Sequence, residues 1–241
     1  MKRMSQMLMV LAFALLLALD ASAQVRIYDT IYNAAGTDTE LTGLVYTSSS
    51  PRYRMADGMG VNLAVDHFLT RLDFVLVIAT AGTYTNITAD IEVYNAWDPN
   101  AATGSVFSNL VAAFTANLGD ANTTGAAGYL IEVPVPAGVI LDTNPNKGVV
   151  ITLKHNGVLD NNLTLGVVDR LPNPGSEVVA DLWYRDANNN GIIEASDART
   201  FSGRNFDNVA LTLWATPVPE PASFLVIGAG SAGLAALRRR R

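Results

Sequence analysis

The chain has 241 residues, of which 49% are hydrophobic and 16% are charged, and it contains no cysteine. An average soluble domain carries about 25% charged residues, so this chain is poor in ions, and its composition excludes a disordered tail, a coiled coil and a disulfide-stapled mini-domain. With two histidines and no thiol, it also lacks the ligands of a structural zinc or iron–sulfur site.

Charge is distributed unevenly along the chain. Six of the 16 basic residues, Lys2, Arg3 and the run 238–241, lie in the two ends. Ten basic residues then remain between Gln24 and Pro217, against 20 acidic ones. An acidic body repels nucleic acid, and we therefore expect no nucleic-acid partner.

Residues 1–23 have the organisation of a secretory signal peptide. Lys2 and Arg3 precede an uninterrupted apolar run of 12 residues at positions 8–19. Small residues, Ala21 and Ala23, then occupy the two positions that a signal peptidase reads, which makes Gln24 the expected new N-terminus. We predict a signal helix that is removed on export.

Residues 24–215 are rich in short strand-like runs. β-branched and aromatic residues concentrate at positions 69–78, 87–94, 149–154, 163–168, 178–184 and 209–214, with Gly, Asn, Asp and Pro clusters between them. Apolar residues alternate in the second run (Ile87, Ala89, Ile91, Val93) and in the third (Val149, Ile151, Leu153). Residues 105–118 could form either a helix or a pair of strands.

These features predict an all-β fold for residues 24–215. Roughly 190 residues of short strands with polar connections favour one antiparallel β-sandwich, jelly-roll-like, with a buried two-sheet core. The predicted signal helix precedes this body, and a short transmembrane helix follows it.

Residues 186–197 carry the clearest local motif. They read D-x-N-x-N-G-x-I-x-x-x-D, which is the spacing of a twelve-residue calcium loop. Gly191 permits the tight turn, and Ile193 would anchor the loop to the core. The predicted calcium ligands are Asp186, Asn188, Asn190, the backbone carbonyl of Ile192, Glu194 and Asp197.

This loop resembles calcium loops of the EF-hand and dockerin type, with two departures. The twelfth position is Asp197 rather than Glu, and the preceding residues 178–184 predict a strand rather than an entering helix. We therefore predict a structural calcium ion in a β-sandwich loop, with the weak affinity of extracellular sites. The alternative is a turn in which Asp and Asn side chains cap their own backbone.

The last segment, residues 216–241, differs from the body. A Pro-rich stretch cannot hold a helix, and it is followed by 16 uncharged residues at positions 222–237. As a helix this run would span about 24 Å, which is short for a hydrocarbon core of about 30 Å. The long arginine side chains can reach the membrane surface and make up the difference. The terminal cluster Arg238, Arg239, Arg240 and Arg241 predicts a cytoplasmic end.

This segment resembles the PEP-CTERM sorting signal of Gram-negative bacteria that make extracellular polysaccharide. The resemblance rests on the order of Pro219, Glu220 and Pro221, the apolar helix and the arginine cluster. It implies recognition by an exosortase, a membrane transpeptidase-like enzyme, with processing near the Pro-Glu-Pro triplet. The body resembles the β-sandwich exodomains that commonly precede this tail.

We therefore expect a non-enzymatic, exported protein that is first anchored in the inner membrane. Signal peptidase and an exosortase are its expected partners, and the cell surface or the extracellular polysaccharide matrix is its expected destination. The alternatives are a carbohydrate-active hydrolase and a calcium-dependent carbohydrate-binding module on the same scaffold. The tryptophans Trp97, Trp183 and Trp214, together with the tyrosines, could form a sugar-stacking platform, although such residues more often pack in a core or at a sheet edge.

Overall fold

The structure is a computed structural model that describes residues 23–32, 53–176, 183–199 and 207–219. Within these residues the chain is built almost wholly from β-strands, and its one helical piece is a 3-10 turn at Ala195–Asp197. All strand pairs among them are antiparallel. The prediction of an all-β, antiparallel fold is confirmed.

The strands are numbered along the described part of the chain. They are β1 (Val25–Asp29), β2 (Arg54–Gly60), β3 (His67–Ile78), β4 (Gly82–Trp97), β5 (Phe107–Thr123), β6 (Ala127–Pro134), β7 (Ile140–Leu141), β8 (Asn146–His155), β9 (Val158–Leu159), β10 (Leu163–Leu165), β11 (Val167–Asp169), β12 (Trp183–Arg185), β13 (Ala198–Arg199), β14 (Asp207–Val209) and β15 (Leu211–Pro217).

The strands form two large sheets and one small one. Sheet I has the order β1-β15-β3-β10, with β6 and β7 also paired to β3. Residues 71–74 of β3 pair with both β15 and β6, so these two strands lie on opposite sides of β3. Sheet II has the order β13-β12-β2-β8-β4-β5, with β9 beside β8, and the small sheet pairs β11 with β14.

Both large sheets contribute side chains to one hydrophobic core. Leu72 and Phe74 of sheet I belong to the same buried cluster as Ile91 and Ile151 of sheet II. In β4, the alternation read from the sequence is confirmed, because residues 87, 89, 91 and 93 are buried and their neighbours 88, 90, 92 and 94 are not. A core shared between two antiparallel sheets is the arrangement that a sandwich requires.

A second, smaller core lies on the other face of sheet II. It contains Trp97, Phe107, Tyr184 and Ile193, together with Val150, Ala56 and Val106. Val150 of β8 therefore packs in this second core, while Val149 and Ile151 on either side of it face the main core. Sheet II thus buries apolar residues on both faces at this end.

Some predicted strands have different limits in the structure. The run 163–168 is two strands, β10 and β11, and the run 209–214 falls in β14 and β15. The breaks occur at Gly166 and Ala210, where the amide of Ala210 donates to the carbonyl of Gly166 at 2.8 Å and the chain passes into the small sheet. Residues 105–118 lie mostly in the single strand β5, which is neither a helix nor a pair of strands.

Both ends of the body lie at one end of sheet I. Strand β1 pairs with β15, so that Val25 is opposite Ala215. The helices predicted within 1–23 and 216–241 fall on residues 1–22 and 220–241, which lie outside the described residues. Among the residues that are described, there is no helix of the length and apolar character needed to cross a membrane.

Candidate functional site

The predicted calcium loop connects β12 and β13 at one edge of sheet II. It leaves β12 after Arg185 and enters β13 at Ala198, through the 3-10 turn at Ala195–Asp197. The structure therefore confirms that a strand precedes the loop in residues 183–185, whereas residues 178–182 of the predicted run lie outside the described part. This arrangement differs from the helix–loop–helix of an EF-hand.

The carboxylate of Asp186, the first position of the motif, turns back onto the middle of the loop. Its Oδ1 accepts from the amide of Asn190 at 3.1 Å, and its Oδ2 accepts from the amide of Gly191 at 2.9 Å. The backbone is left-handed at Asn189, with φ 56°, and at Gly191, with φ 78°. This curvature directs consecutive amides toward one carboxylate.

The carboxylate of Asp197, the twelfth position, holds the two ends of the loop together. Its Oδ1 accepts from the amide of Ala187 at 3.0 Å and its Oδ2 from the amide of Glu194 at 3.0 Å. Asp186 and Asp197 each expose only 1% of their surface. The motif's first and last carboxylates are therefore both buried within the loop.

The middle positions are exposed and bonded to one another. The side-chain oxygens of Asn188 and Asn190 accept from backbone amides two residues further on, at 3.1 and 2.8 Å. Their amide nitrogens donate to Oε2 of Glu194 at 3.3 and 3.4 Å. This is the backbone-capping turn that we considered as the alternative to calcium. To coordinate a cation, the side-chain amides of Asn188 and Asn190 would have to turn their oxygens toward it.

Ile193 anchors the loop, as its position in the motif predicts. Its side chain is 2% exposed and lies in the second core with Trp97, Phe107 and Tyr184. Its carbonyl accepts from the amide of Val106 at 2.9 Å. Ile192, whose carbonyl was the predicted ligand, has an exposed side chain.

One contact to the loop was not predicted from the sequence. The hydroxyl of Tyr53 donates to Oδ1 of Asn189, which lies 136 residues further along the chain. Burial raises the pKa of Tyr53, and the negative charge of Asp186 raises it further. No local signal in the sequence links these residues, because only the pairing of β12 with β2 brings them together.

The donor types suit a hard cation, but the loop is also closed by its own hydrogen bonds. Carboxylate and amide oxygens are the ligands that calcium prefers, and a carboxylate oxygen that accepts one amide can still coordinate a metal. Among the described residues, Asp186, Glu194 and Asp197 form no ion pair. Over the same residues, no group of three or more His, Cys, Asp or Glu side chains is arranged to hold a metal ion. A calcium shell here would depend on the asparagine and backbone oxygens as well as the carboxylates.

The tryptophans do not form an exposed platform. Trp97 and Trp183 are 3% and 2% exposed, and they belong to the two different cores. Trp214 is half-buried on sheet I, where the guanidinium of Arg71 lies 4.3 Å from its ring centre and its Nε1 donates to Asp73 at 2.7 Å. The packing interpretation of these residues is therefore the correct one.

Two of the predicted processing residues lie beside the end of sheet I where β1 and β15 meet. Ala23 is exposed just before β1, and Pro219 is exposed two residues after the end of β15. Beyond the end of β15, the amide of Val218 donates to the carbonyl of Asp66 at 2.8 Å. Ala21, Glu220, Pro221 and the arginines 238–241 lie outside the described residues.

Residues 217–241 match the family described as the PEP-CTERM protein-sorting motif. The match begins at Pro217, the last residue of β15, and covers the Pro-Glu-Pro triplet, the apolar run and the arginine cluster. The chain therefore carries a PEP-CTERM sorting motif, which supports a secreted protein processed by an exosortase. No curated protein and no solved structure matches the chain.

Proposed function

We propose that this chain, with its PEP-CTERM motif, is a non-enzymatic exported protein whose β-rich body is delivered to the cell surface or extracellular polysaccharide matrix of a Gram-negative bacterium. Signal peptidase would remove residues 1–23. The apolar run at 222–237 would hold the precursor in the inner membrane until an exosortase cuts near Pro219, Glu220 and Pro221. The body would be a jelly-roll-like sandwich that the two export segments flank.

The position of β15 carries this proposal. The strand lies inside sheet I between β1 and β3, and Leu211, Leu213 and Ala215 are buried in the main core. The sorting motif begins at the last residue of this strand. A cut at or after Pro219 would therefore remove the tail and leave every described strand in place.

Fractionation of cells that express the full chain tests the sorting proposal. We expect the wild-type body in the extracellular or surface fraction, and we expect the Glu220→Ala variant to accumulate in the inner membrane. Glu132→Ala is the matched control, because it removes the same charge from an exposed position of β6. Equal export of all three proteins in processed form would contradict the role of the motif.

We also propose that calcium stabilises the loop at 186–197 in the extracellular medium. Asp186 and Asp197 would contribute carboxylate oxygens, Asn188 and Asn190 amide oxygens, Ile192 its carbonyl, and Glu194 a direct or water-mediated bond. Bound calcium would neutralise the charge of two buried carboxylates. The support for this proposal is their joint burial without an ion pair in the described residues, together with the motif spacing.

Thermal unfolding with and without calcium tests the loop. We expect millimolar calcium to raise the melting temperature of the wild-type protein, and we expect no rise for Asp186→Ala. Asp98→Ala, which removes an exposed carboxylate from another loop, should keep the rise. If calcium leaves the wild-type melting temperature unchanged, the loop is only a hydrogen-bonded turn.

A further inference from the structure

The two large sheets open toward solvent along one side of the molecule. Among the described residues, β5 at the edge of sheet II pairs only with β4, and β6 at the edge of sheet I pairs only with β3. A groove of about 510 Å³ runs between the two edges. Core-facing residues of β5, including Ala112, Phe114 and Ala116, are consequently only half-buried.

Natural edge strands are kept short, carry charges and prolines, or are bent by β-bulges. Strand β5 is bulged at 110–112 and 117–119, and between these bulges residues 112–117 form a regular edge with neither charge nor proline. The 17 residues of β5 include one charge, Asp120, and no proline. By contrast, β1 has five residues with Arg26 and Asp29, and β6 has eight residues with Glu132 and Pro134.

This neutral strand belongs to a strongly acidic body, in which 20 acidic residues face ten basic ones between Gln24 and Pro217. Two copies of such a body repel each other over most of their surface. The β5 edge is a stripe where that repulsion is weak, and the large apolar residues Leu110 and Leu130 beside it are 54% and 38% exposed. Two copies can therefore meet along this edge with little charge repulsion.

A second β5 can pair with the first without placing like charges together. Residues 112–117 pair with residues 88–93 of β4 in unbroken register, so this part of the strand is regular. An antiparallel pair of identical strands with its two-fold axis at Phe114 places Ala112 opposite Ala116 and Ala113 opposite Thr115. Asp120 then faces Ser108 of the other copy rather than its own equivalent.

The size of the edge suits a weak, concentration-dependent dimer. At 3.3 Å per residue, the 17 residues of β5 are about 56 Å long and the eight residues of β6 about 26 Å. Contact along both strands buries roughly 800–1,100 Å² in total, the size of weak, transient interfaces. Bringing the two open grooves together also covers Phe114 and Leu130 in each copy.

We propose that the β5 edge is a self-association surface, through which a second copy of this chain pairs antiparallel with the first and extends sheet II across a two-fold axis. The apolar groove between β5 and β6 closes against its equivalent. Because the bodies are acidic, salt strengthens the dimer by screening their repulsion.

Sedimentation velocity of the exported protein, purified from cells that express the full chain, tests this proposal. We expect a dimer at micromolar concentration in 0.5 M salt. Ala116→Lys places a charge in the groove and should weaken dimerisation at least tenfold. Val158→Lys adds the same charge at a 67% exposed site on β9 and should leave the dimer unchanged.

A wild-type protein that stays monomeric at about 100 µM in 0.5 M salt would overturn the proposal. So would a dimer that Ala116→Lys and Val158→Lys affect equally, or assembly that continues beyond the dimer, since a two-fold pair is closed. A monomer that instead captures an unrelated extended peptide on β5 would assign the edge to a different partner and would also overturn it.

Cysteine cross-linking gives an independent readout if Ala116→Lys does not fold. The chain has no cysteine, so a single introduced thiol reports one position. Opposite residues in an antiparallel pair have Cα atoms about 4.5–5.5 Å apart, within disulfide range. Among variants that carry a single cysteine at one of the positions 112–117, we expect the highest yield of disulfide-linked dimer for the residue on the two-fold axis. A dimer with no cross-linking anywhere in this range would contradict β5 pairing.

Discussion

Two glycines on neighbouring strands of sheet II are required by the aromatic rings of the second core. A Cβ built on Gly58 would lie 2.1 Å from Cε2 of Trp97, and one built on Gly148 would lie 2.1 Å from Cδ1 of Phe107. The rings therefore lie directly against the backbone of β2 and β8. Neither glycine needs a left-handed backbone, so their role is close approach rather than turn formation.

Replacing Gly148 by alanine tests this packing. We expect Gly148→Ala to lower the free energy of unfolding by about 1–3 kcal/mol, because the ring of Phe107 must move from its position against the strand. Urea unfolding measures the difference. Gly125→Ala is the control, since a Cβ there meets no atom within 4 Å. If both variants lose the same free energy of unfolding, the loss comes from the backbone and not from contact with the ring of Phe107.

At the scale of strands, the regular alternation of β4 and β8 was predictable, and β2 was not. Strand β2 reads Arg-Met-Ala-Asp-Gly-Met-Gly, without a single β-branched or aromatic residue. It is nevertheless an interior strand, between β12 and β8. Its conformation is set by its neighbours, and its two glycines make room for the ring of Trp97 and for Ser176. Propensity alone does not contain that information.

The candidate loop was predicted better than its surroundings. The motif spacing identifies Gly191 and Ile193, whose left-handed backbone and burial match their predicted roles, whereas calcium binding by Asp186 and Asp197 stays a prediction. The hydrogen bond from the amide of Val106 and the contact with Tyr53, by contrast, come from residues that are distant in sequence. Local geometry can be read from a short motif, whereas the surface on which the loop rests cannot.

A cluster on the outer face of sheet II connects three strands. Asp90 of β4 accepts from Lys154 of β8 at 2.5 Å and from Thr115 of β5 at 2.6 Å. Burial raises the pKa of Asp90, but these two hydrogen bonds and the charge of Lys154 outweigh it, so the pKa lies below its usual value. The stabilisation is therefore present above about pH 4, the pKa region of an unfolded aspartate, and is lost as the pH falls below it.

Asp90→Asn should accordingly destabilise the protein at pH 7 and have a smaller effect at pH 3. The expected loss at pH 7 is roughly 0.5–1 kcal/mol, because the pair is partly exposed to solvent. Urea unfolding at both pH values measures this loss. The Lys154→Gln variant and the double variant complete a double-mutant cycle that isolates the interaction between the two residues. A loss that is the same at both pH values would mean that Asp90 acts through packing and not through its charge.

For the whole molecule, the main consequence of the fold is that the first and last strands of its described part are neighbours. Signal peptidase and exosortase would act on the same end of sheet I, because β1 starts and β15 ends there. If the chain crosses the membrane unfolded, as we propose, β1 can pair with β15 only after the entire body has crossed.

The intact mass of the extracellular protein tests the central claim most directly. We predict a chain that begins at Gln24 and ends between Val218 and Pro221, with β15 retained and the arginines at 238–241 removed. The same measurement on Glu220→Ala should find the uncut tail, in the membrane fraction. An extracellular wild-type protein that still contains residues 222–241 would contradict the account.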